Sequence, residues 1–263
     1  MKIDLSGRVG IVSGASAGLA RAIAQGFAEA GADLVIGSRR EDAIRRAADE
    51  IAASTGRTVV GVEADVSRPE GVERLLGTAR TRFGRLHILV VNAGGPPAGS
   101  ALTLKDEQWE QAFHQNLMSA VRFIRGAVPM MREQGGGRII TIISSAVKVP
   151  IPNLVLSNVF RSGVVALTKT LSFELAPHKI LINNLAPGRI RTDRLRALDS
   201  LRAEELRRTV EDVERESAAA IPAGRYGDPR EFANMAVFLA SDQASYITGT
   251  TICIDGGATR AMQ

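Results

Sequence analysis

The sequence has very little cysteine and no long apolar run. Its single cysteine, Cys253, excludes a disulfide bond within the 263-residue chain and suits a reducing compartment. The apolar run 251–254 around it predicts a buried structural thiol. A membrane-spanning helix needs about 18 or more consecutive apolar residues, which the sequence lacks, and residues 1–6 contain no apolar signal core. We therefore expect a soluble, cytoplasmic protein with no membrane partner.

The sequence also lacks a concentrated basic segment and a metal-binding spacing. Its 33 basic residues outnumber its 28 acidic ones, which gives a formal net charge of +5. The densest basic stretch, 189–208, is interrupted by acidic residues, namely Asp193, Asp199, Glu204 and Glu205. This dispersed charge favours an anionic small ligand over nucleic acid. No spacing of histidine, cysteine or carboxylate residues predicts a metal site.

Short apolar runs alternate with longer amphipathic segments along nearly the whole chain. The apolar runs are continuous, which is typical of strands buried on both faces of a parallel sheet; they are 9–12, 34–36, 59–62, 88–91, 139–143, 180–182 and 250–254. Helical patterns lie between them, at 20–30, 41–54, 69–83, 106–134 and 229–241. Repeated strand–helix–strand units predict an α/β protein with a three-layer, doubly wound parallel sheet of Rossmann type. No linker or repeat divides the chain, so we expect one domain over 1–263.

One segment interrupts this alternation. Residues 189–220 contain no strand pattern, only charged helical stretches, and they follow Pro187 and Gly188 at the end of a predicted strand. Ligands of open α/β sheets bind at the carboxyl ends of the strands. We therefore interpret 189–220 as a candidate lid over a substrate; the alternative is a helical excursion on the surface.

A glycine-rich turn joins the first predicted strand to the first predicted helix. Gly14 permits a tight turn, and Gly18 lets the backbone approach a pyrophosphate at the positive end of the helix. Ala20 is small enough for close packing of the helix on the strand. This turn predicts a dinucleotide-binding site that includes Gly14, Ser16, Gly18 and Leu19.

The end of the second strand indicates which dinucleotide is preferred. An NAD site generally has an acidic residue here that accepts a hydrogen bond from the ribose 2′-hydroxyl. This chain has Ser38, Arg39 and Arg40 instead, and arginines pair well with a 2′-phosphate. The sequence therefore favours NADP(H), with NAD(H) left open. The alternative for the two arginines is a solvated helix start.

Further motifs follow in order along the chain. They are Asp65-Val66, Asn92-Ala93-Gly94, Pro187-Gly188 with Thr192, and a closing segment that contains Asp228-Pro229, Thr248-Gly249 and Asp255-Gly256-Gly257. With the glycine turn, these motifs resemble the short-chain dehydrogenase/reductase family over about 5–257. The closing segment is most similar to that of 3-oxoacyl-acyl-carrier-protein reductases.

The resemblance implies further cofactor contacts. Asp65 would bond the adenine amino group, and Val66 would pack beside the adenine ring. The ribose would lie against Asn92, Ala93 and Gly94. The nicotinamide would lie along a last group, which comprises Pro187, Gly188, Ile190 and Thr192.

The same resemblance places four catalytic positions. Reductases of this family use an asparagine, a serine, a tyrosine and a lysine. Asn116 matches the asparagine and Ser144 matches the serine, whereas Ser157 stands at the tyrosine position and Arg161 at the lysine position. The tyrosine–lysine pair is therefore expected to be absent.

This difference bears on the proton that a carbonyl reduction requires. The only tyrosines, Tyr226 and Tyr246, belong to other motifs. A phenol has a pKa near 10, whereas an aliphatic hydroxyl is a far weaker acid, and loss of a general acid costs about 10²–10⁴-fold in rate. Candidate replacement donors are Lys148, for which the alternative is an exposed lysine in a loop, and a water held by Ser144 and Ser157. The three histidines are expected to be structural or exposed; they are His87, His114 and His178.

Three functions remain open. The first is an NADP(H)-dependent oxidoreductase that reduces a small carbonyl compound, such as a 3-oxoacyl substrate, or oxidises a secondary alcohol at a non-standard site. The second is a non-catalytic NADP(H)-binding sensor or partner subunit. The third is a lyase similar to halohydrin dehalogenases, which carry arginine at the lysine position but keep the tyrosine and lose the nucleotide motif. By analogy with the family, we expect a homotetramer or homodimer built on the helices near 106–134 and 154–177.

Overall fold

Seven strands form one parallel sheet within residues 3–261, the part of the chain that the computed structural model describes. The strands are β1 (Val9–Ser13), β2 (Asp33–Ser38), β3 (Val59–Glu63), β4 (Ile88–Val91), β5 (Gly137–Ile142), β6 (Ile180–Pro187) and β7 (Thr251–Ile254). Their order across the sheet is β3-β2-β1-β4-β5-β6-β7. The order reverses between β1 and β4, and a ligand crevice forms at such a point in open α/β sheets.

Helices cover both faces of this sheet. They are α1 (Gly18–Glu29), α2 (Glu41–Thr55), α3 (Pro69–Phe83), α4 (Asp106–Phe113), α5 (Ser119–Glu133), α6 (Val155–Leu175), α7 (Asp193–Leu206), α8 (Val210–Ala219) and α9 (Pro229–Ala240). Two apolar cores result. The neighbouring residues Ile11 and Val12 of β1 are fully buried in different cores, because successive side chains of a strand point to opposite faces. The predicted three-layer α/β fold is confirmed.

The predicted helix 106–134 is interrupted. A π-helical turn, His114–Met118, joins α4 to α5. Such a turn adds one residue to the helical repeat, and the spacing of apolar residues is too coarse to reveal one extra residue. The sequence pattern therefore finds the segment but misses its interruption.

Strand β6 is longer than the predicted strand 180–182. Two buried asparagines, Asn183 and Asn184, interrupt the apolar pattern but continue the strand. Their polar groups are satisfied: Asn183 Nδ2 donates to the Ile247 carbonyl at 2.8 Å, and Asn184 Oδ1 accepts from Thr168 Oγ1 at 2.7 Å. Burial of an amide is tolerated when it is hydrogen-bonded in this way.

The expectation of a buried Cys253 is wrong. Strand β7 lies at the edge of the sheet and pairs only with β6 among the described strands, so the thiol is half-buried. This partial burial still raises the pKa of the Cys253 thiol. Within residues 3–261, no helix has the length and apolar character that crossing a membrane requires.

Candidate functional site

The glycine turn after β1 lies against the end of β4, at the point where the strand order reverses. Gly14 adopts a φ of +66°, and a β carbon built on it would lie 2.5 Å from Nδ2 of Asn92. Ser13 Oγ donates to the Asn92 carbonyl at 2.8 Å and accepts from the Asn92 amide at 2.8 Å. These contacts bring two predicted cofactor residues, Gly14 and Asn92, together at the crevice.

Helix α1 begins at Gly18, directly after this turn. Gly18 has a φ of +62°, and the residue before it, Ala17, provides no side-chain cap. The first amides of the helix therefore have no side-chain acceptor at the positive end of the helix dipole, an arrangement that favours an anion. Ser16 and Leu19 are half-buried in the same turn.

The end of β2 presents two cations to solvent. Ser38 is buried, and its hydroxyl donates to the Arg40 carbonyl at 3.3 Å. Arg39 and Arg40 are exposed, and neither forms an ion pair with another described residue. Two guanidinium groups beside the crevice are thus free for an anion.

The turn after β3 is fixed by a carboxylate. Asp65 Oδ1 accepts hydrogen bonds from the amide and the hydroxyl of Ser67, at 3.0 and 2.7 Å. Its Oδ2 makes no hydrogen bond with a described residue, and Val66 packs against the core that lies on this face. One oxygen of the Asp65 carboxylate thus holds the turn, and the other remains to accept a hydrogen bond.

The segment after β6 closes the opposite side of the crevice. The Gly188 amide donates to the Ile254 carbonyl at 3.0 Å, and a β carbon there would lie 2.5 Å from Cβ of Asp255. Ile190, three residues after Pro187, is buried. Thr192 caps α7, since its hydroxyl accepts from the Leu195 amide at 3.2 Å.

Thr192 also touches the glycine turn. Its methyl carbon lies 3.7 Å from the position of a β carbon on Gly18. The segment after β6 therefore reaches across to the first turn of α1. Gly94, at the end of the β4 segment, is held by Gln115, whose Nε2 donates to the Gly94 carbonyl at 2.7 Å. The structure brings three strand ends, those of β1, β4 and β6, to one crevice.

Asn116 lies inside the π-helical turn. It is buried, and its Nδ2 donates to the Ala112 carbonyl at 3.3 Å. Its Oδ1 is buried without a hydrogen-bond partner among the described residues. π-Helical turns are frequent at functional sites, and a buried oxygen without a donor is the kind of group that an ordered water satisfies.

Arg161 is the most unusual side chain of the site. It is 7% exposed, and its guanidinium donates to the carbonyls of Ile142, at the end of β5, and Ala93, after β4, the second at 3.2 Å. No described carboxylate pairs with it. Burial lowers the pKa of the guanidinium to about 10, so it remains charged at neutral pH.

Two serines lie near the same strand ends. Ser144 follows β5, and its hydroxyl accepts from the Ala146 amide at 3.1 Å. Ser157 is half-buried on α6, one helical turn before Arg161, and its hydroxyl makes no hydrogen bond with a described residue. Residues four apart on a helix share a face, so Ser157 and Arg161 lie on the same side of α6.

The segment 189–220 contains α7 and α8 and is anchored by a buried cluster that sequence reasoning missed. Arg189 Nη1 donates to Asp199 Oδ1 at 2.6 Å and to the Tyr226 hydroxyl at 3.0 Å. The Tyr226 hydroxyl in turn donates to Asp199 Oδ2 at 2.9 Å, and burial raises the pKa of this phenol. The only sequence signal was an acidic residue within an arginine-rich helix.

The other candidate donors lie elsewhere or are engaged. His87 Nδ1 accepts from the Val9 amide at 3.0 Å, and burial lowers the pKa of this histidine to about 4. His114 and His178 are exposed, as predicted. Lys148 is half-buried near Cys253, and its charge lowers the pKa of that thiol against the larger effect of burial. Within the described residues, no group of histidine, cysteine and carboxylate side chains could hold a metal ion.

Comparison with known proteins identifies relatives along nearly the full chain. The family model described as enoyl-(acyl carrier protein) reductase matches residues 14–259. Dehydrogenase/reductase SDR family member 4 of Homo sapiens is 33% identical over 256 residues, which cover 96% of this chain and 88% of that protein. The 3-oxoacyl-acyl-carrier-protein reductase of Escherichia coli (strain K12) is 35% identical over 256 residues, covering 97% of this chain and 98% of the other.

A solved structure agrees with these relatives. L-sorbose reductase from Gluconobacter frateurii, complexed with NADPH and L-sorbose, superposes with a TM-score of 0.95 at 33% identity and full coverage of both chains, 100% each. This superposition extends over the seven-stranded parallel sheet and the helices that flank it. The chain belongs to the short-chain dehydrogenase/reductase family.

Proposed function

We propose that the protein is an NADP(H)-dependent oxidoreductase that reduces a small carbonyl compound or oxidises a secondary alcohol. The observation that carries this proposal is the crevice in which Gly14 meets Asn92 and Thr192 meets Gly18. Membership of a family whose relatives include carbonyl reductases supports the reaction class. Substrates with a 3-oxoacyl group are the first to test, because a 3-oxoacyl-acyl-carrier-protein reductase is among those relatives.

The residues present fit a dinucleotide. Gly14 and Gly18 leave room where side chains would intrude, and the uncapped start of α1 suits a pyrophosphate. The free Oδ2 of Asp65 suits an adenine amino group, and the segments 92–94 and 187–192 would hold the ribose and the nicotinamide. The exposed and unpaired Arg39 and Arg40 favour NADP(H) through a 2′-phosphate.

The reaction centre differs from the family pattern at two positions. We assign Ser157 to the position of the usual tyrosine and Arg161 to that of the usual lysine. Neither tyrosine of the chain can replace the missing phenol: Tyr226 bonds Arg189 and Asp199, and Tyr246 is exposed. A proton must therefore reach the substrate by another route.

The charges and hydroxyls at the crevice suggest that route. When bound in the crevice, a nicotinamide would supply or accept the hydride. Ser144 would hold the carbonyl oxygen, and the buried charge of Arg161 would stabilise negative charge that develops on that oxygen. The Ser157 hydroxyl has no partner among the described residues, so it can position a water as proton donor. The Asn116 Oδ1, buried and unsatisfied, would hold a second water of the same chain.

The test is a titration of the purified protein with NADPH and with NADH, followed by turnover on a panel of carbonyl compounds that includes 3-oxoacyl thioesters. Tighter binding of NADPH with measurable oxidation of the cofactor would support the proposal. If neither nucleotide bound, the oxidoreductase assignment would be wrong. Release of halide from a vicinal haloalcohol would indicate a lyase instead.

A specific observation favours a second candidate, an NADP(H)-binding protein without turnover. The Arg161 guanidinium is held by two carbonyls, so it is less free than a lysine to act on a ribose hydroxyl. This candidate requires that NADPH bind and that no hydride transfer occur, even in the double variant Ser157→Tyr, Arg161→Lys. Turnover by the wild-type protein would exclude it.

Two structural features are part of the proposal. We interpret the segment 189–220 as a lid over the substrate in a chain that is one domain. Assembly into a homotetramer or homodimer would cover exposed apolar side chains of α6, such as Val159 and Phe173. Light scattering of the purified protein measures the assembly directly.

A further inference from the structure

The start of α7 crosses the crevice and touches both of its sides. On one side, the Thr192 methyl lies against the glycine turn at Gly18. On the other side, Arg194 Nη2 donates to the Pro96 carbonyl at 3.3 Å and lies 3.3 Å from the position of a β carbon on Gly95. Two residues of one helical turn therefore bridge the segments that follow β1 and β4.

Arg194 has no anionic partner among the described residues, whereas the two arginines that precede it in the segment 189–220 are paired. Arg189 pairs with Asp199 at 2.6 Å, and Arg191 pairs with Glu214 at 3.3 Å. The Arg194 guanidinium makes a single hydrogen bond, to a neutral carbonyl, and its other donor nitrogens bond no described residue. A guanidinium has five N–H donors, so most of its capacity to bind an anion is unused.

The glycine turn itself supplies little positive charge. The segment 13–20 contains no lysine or arginine. A helix N-terminus is equivalent to only about half a positive elementary charge, whereas the pyrophosphate of a dinucleotide carries two negative charges. Arg21, in the first turn of α1, is paired with Glu50. A cation from the opposite side of the crevice would complete the neutralisation.

We propose that Arg194 binds the pyrophosphate of the dinucleotide and so fastens the segment 189–220 over the bound cofactor. This inference rests on the proposed function, and it adds a binding residue outside the glycine turn. The guanidinium donates hydrogen bonds to the charged phosphate oxygens, in place of its bond to the Pro96 carbonyl or in addition to it, because these oxygens are the stronger acceptors. Because NADPH and NADH share the pyrophosphate, Arg194 strengthens the binding of both.

The test compares Arg194→Met with the control Arg196→Met by calorimetry. Arg194 and Arg196 are both exposed on α7, and neither forms an ion pair with a described residue. Arg194→Met is expected to lower the affinity for NADPH and for NADH by about 10-fold each, because one charge-assisted hydrogen bond is lost. The same variant should leave the affinity for adenosine 2′-monophosphate unchanged, because that nucleotide has no pyrophosphate. Arg194→Lys keeps the charge and should recover part of the affinity for both dinucleotides.

Each other outcome has a definite meaning. If the wild-type protein bound neither dinucleotide, the proposed function would fail. If wild-type and Arg194→Met bound NADPH equally, only the present inference would fail. Unchanged nucleotide binding with a raised KM for carboxylate-bearing carbonyl compounds alone would assign Arg194 to the substrate instead. Equal losses in Arg194→Met and Arg196→Met would show a general effect of α7 and also overturn the inference.

Discussion

Gly14 and Asn92 meet across the crevice at a distance that leaves no room for a side chain on the glycine. A β carbon there would lie 2.5 Å from the amide nitrogen of Asn92, and the backbone of Gly14 has a φ of +66°. The lack of room beside Asn92 and the positive φ thus each require glycine at position 14. The contact with the neighbouring strand end is therefore sufficient by itself to require glycine in this turn.

Gly14→Ala is expected to impair both stability and nucleotide binding. The variant adds strain at positive φ and displaces Asn92, which together should lower the free energy of unfolding by about 2 to 4 kcal/mol. NADPH affinity should fall by more than 10-fold. Gly56→Ala is the matched control, since Gly56 has a φ of +69° with nothing within 4 Å of a β carbon. Gly56→Ala should lower the free energy of unfolding by about 1 kcal/mol and leave the affinity for NADPH unchanged. Denaturant unfolding measures the stability of each variant, and calorimetry measures its affinity for NADPH. Equal losses in Gly14→Ala and Gly56→Ala would contradict the argument.

Replacement of Arg39 and Arg40 by methionine should separate the two cofactors. Loss of guanidinium contacts to a 2′-phosphate is expected to weaken NADPH by about 10- to 100-fold, whereas NADH, which lacks that phosphate, should bind as before. Arg46→Met is the control, because Arg46 is exposed on α2 and forms no ion pair with a described residue. A parallel loss of NADH affinity would place these arginines elsewhere on the cofactor.

The two tyrosines provide a matched pair for stability. Tyr226→Phe removes a buried hydroxyl that bonds Arg189 and Asp199, and it should lower the free energy of unfolding by about 1 to 3 kcal/mol. Tyr246→Phe alters an exposed side chain and should change it by less than about 0.5 kcal/mol. Chemical denaturation with both variants checks the difference. Similar values would mean that the buried cluster does not anchor α7.

His87 should make the protein less stable in mild acid. Its pKa is about 4 in the folded chain and 6.5 as a free side chain, so the unfolded state binds more protons between these values. The free energy of unfolding should therefore fall as pH decreases from about 6.5 to 4, by about 1 to 2 kcal/mol because the half-buried ring is partly screened by solvent. His87→Asn should remove this pH dependence of the free energy of unfolding. His178→Asn, which replaces an exposed histidine, should leave it unchanged. Unfolding curves between pH 4 and 7 test the sign; a rise in stability toward pH 4 would contradict it.

The fold was predictable because its signals are local. Continuous apolar runs identify buried parallel strands, and the glycine turn identifies the entrance to α1. The lengths of these elements were less accessible, since Asn183 and Asn184 extend β6 through hydrogen bonds to residues far along the chain. The π-helical turn at Asn116 changes the helical repeat by one residue, which apolar spacing does not register.

The sequence motifs predict which residues form the candidate site, but they do not predict the contacts between those residues. Motif order gave Gly14, Asn92 and Thr192, but it gave no indication that Thr192 touches Gly18 or that Arg194 reaches Pro96. Such contacts depend on where a segment after β6 crosses the sheet. The charge on Arg161 was evident from the sequence, whereas its burial against two backbone carbonyls arises only when β4, β5 and α6 come together.

The Arg161 contacts have a consequence for substitution at this position. One planar guanidinium joins the ends of β4 and β5 to α6, through the carbonyls of Ala93 and Ile142. A lysine ammonium is a single point of charge and cannot span two acceptors with a rigid fork. Arg161→Lys would therefore replace this fixed contact with two carbonyls by a single mobile ammonium group. The ends of β4 and β5 thus share one rigid connection to α6 that a lysine at position 161 would not reproduce.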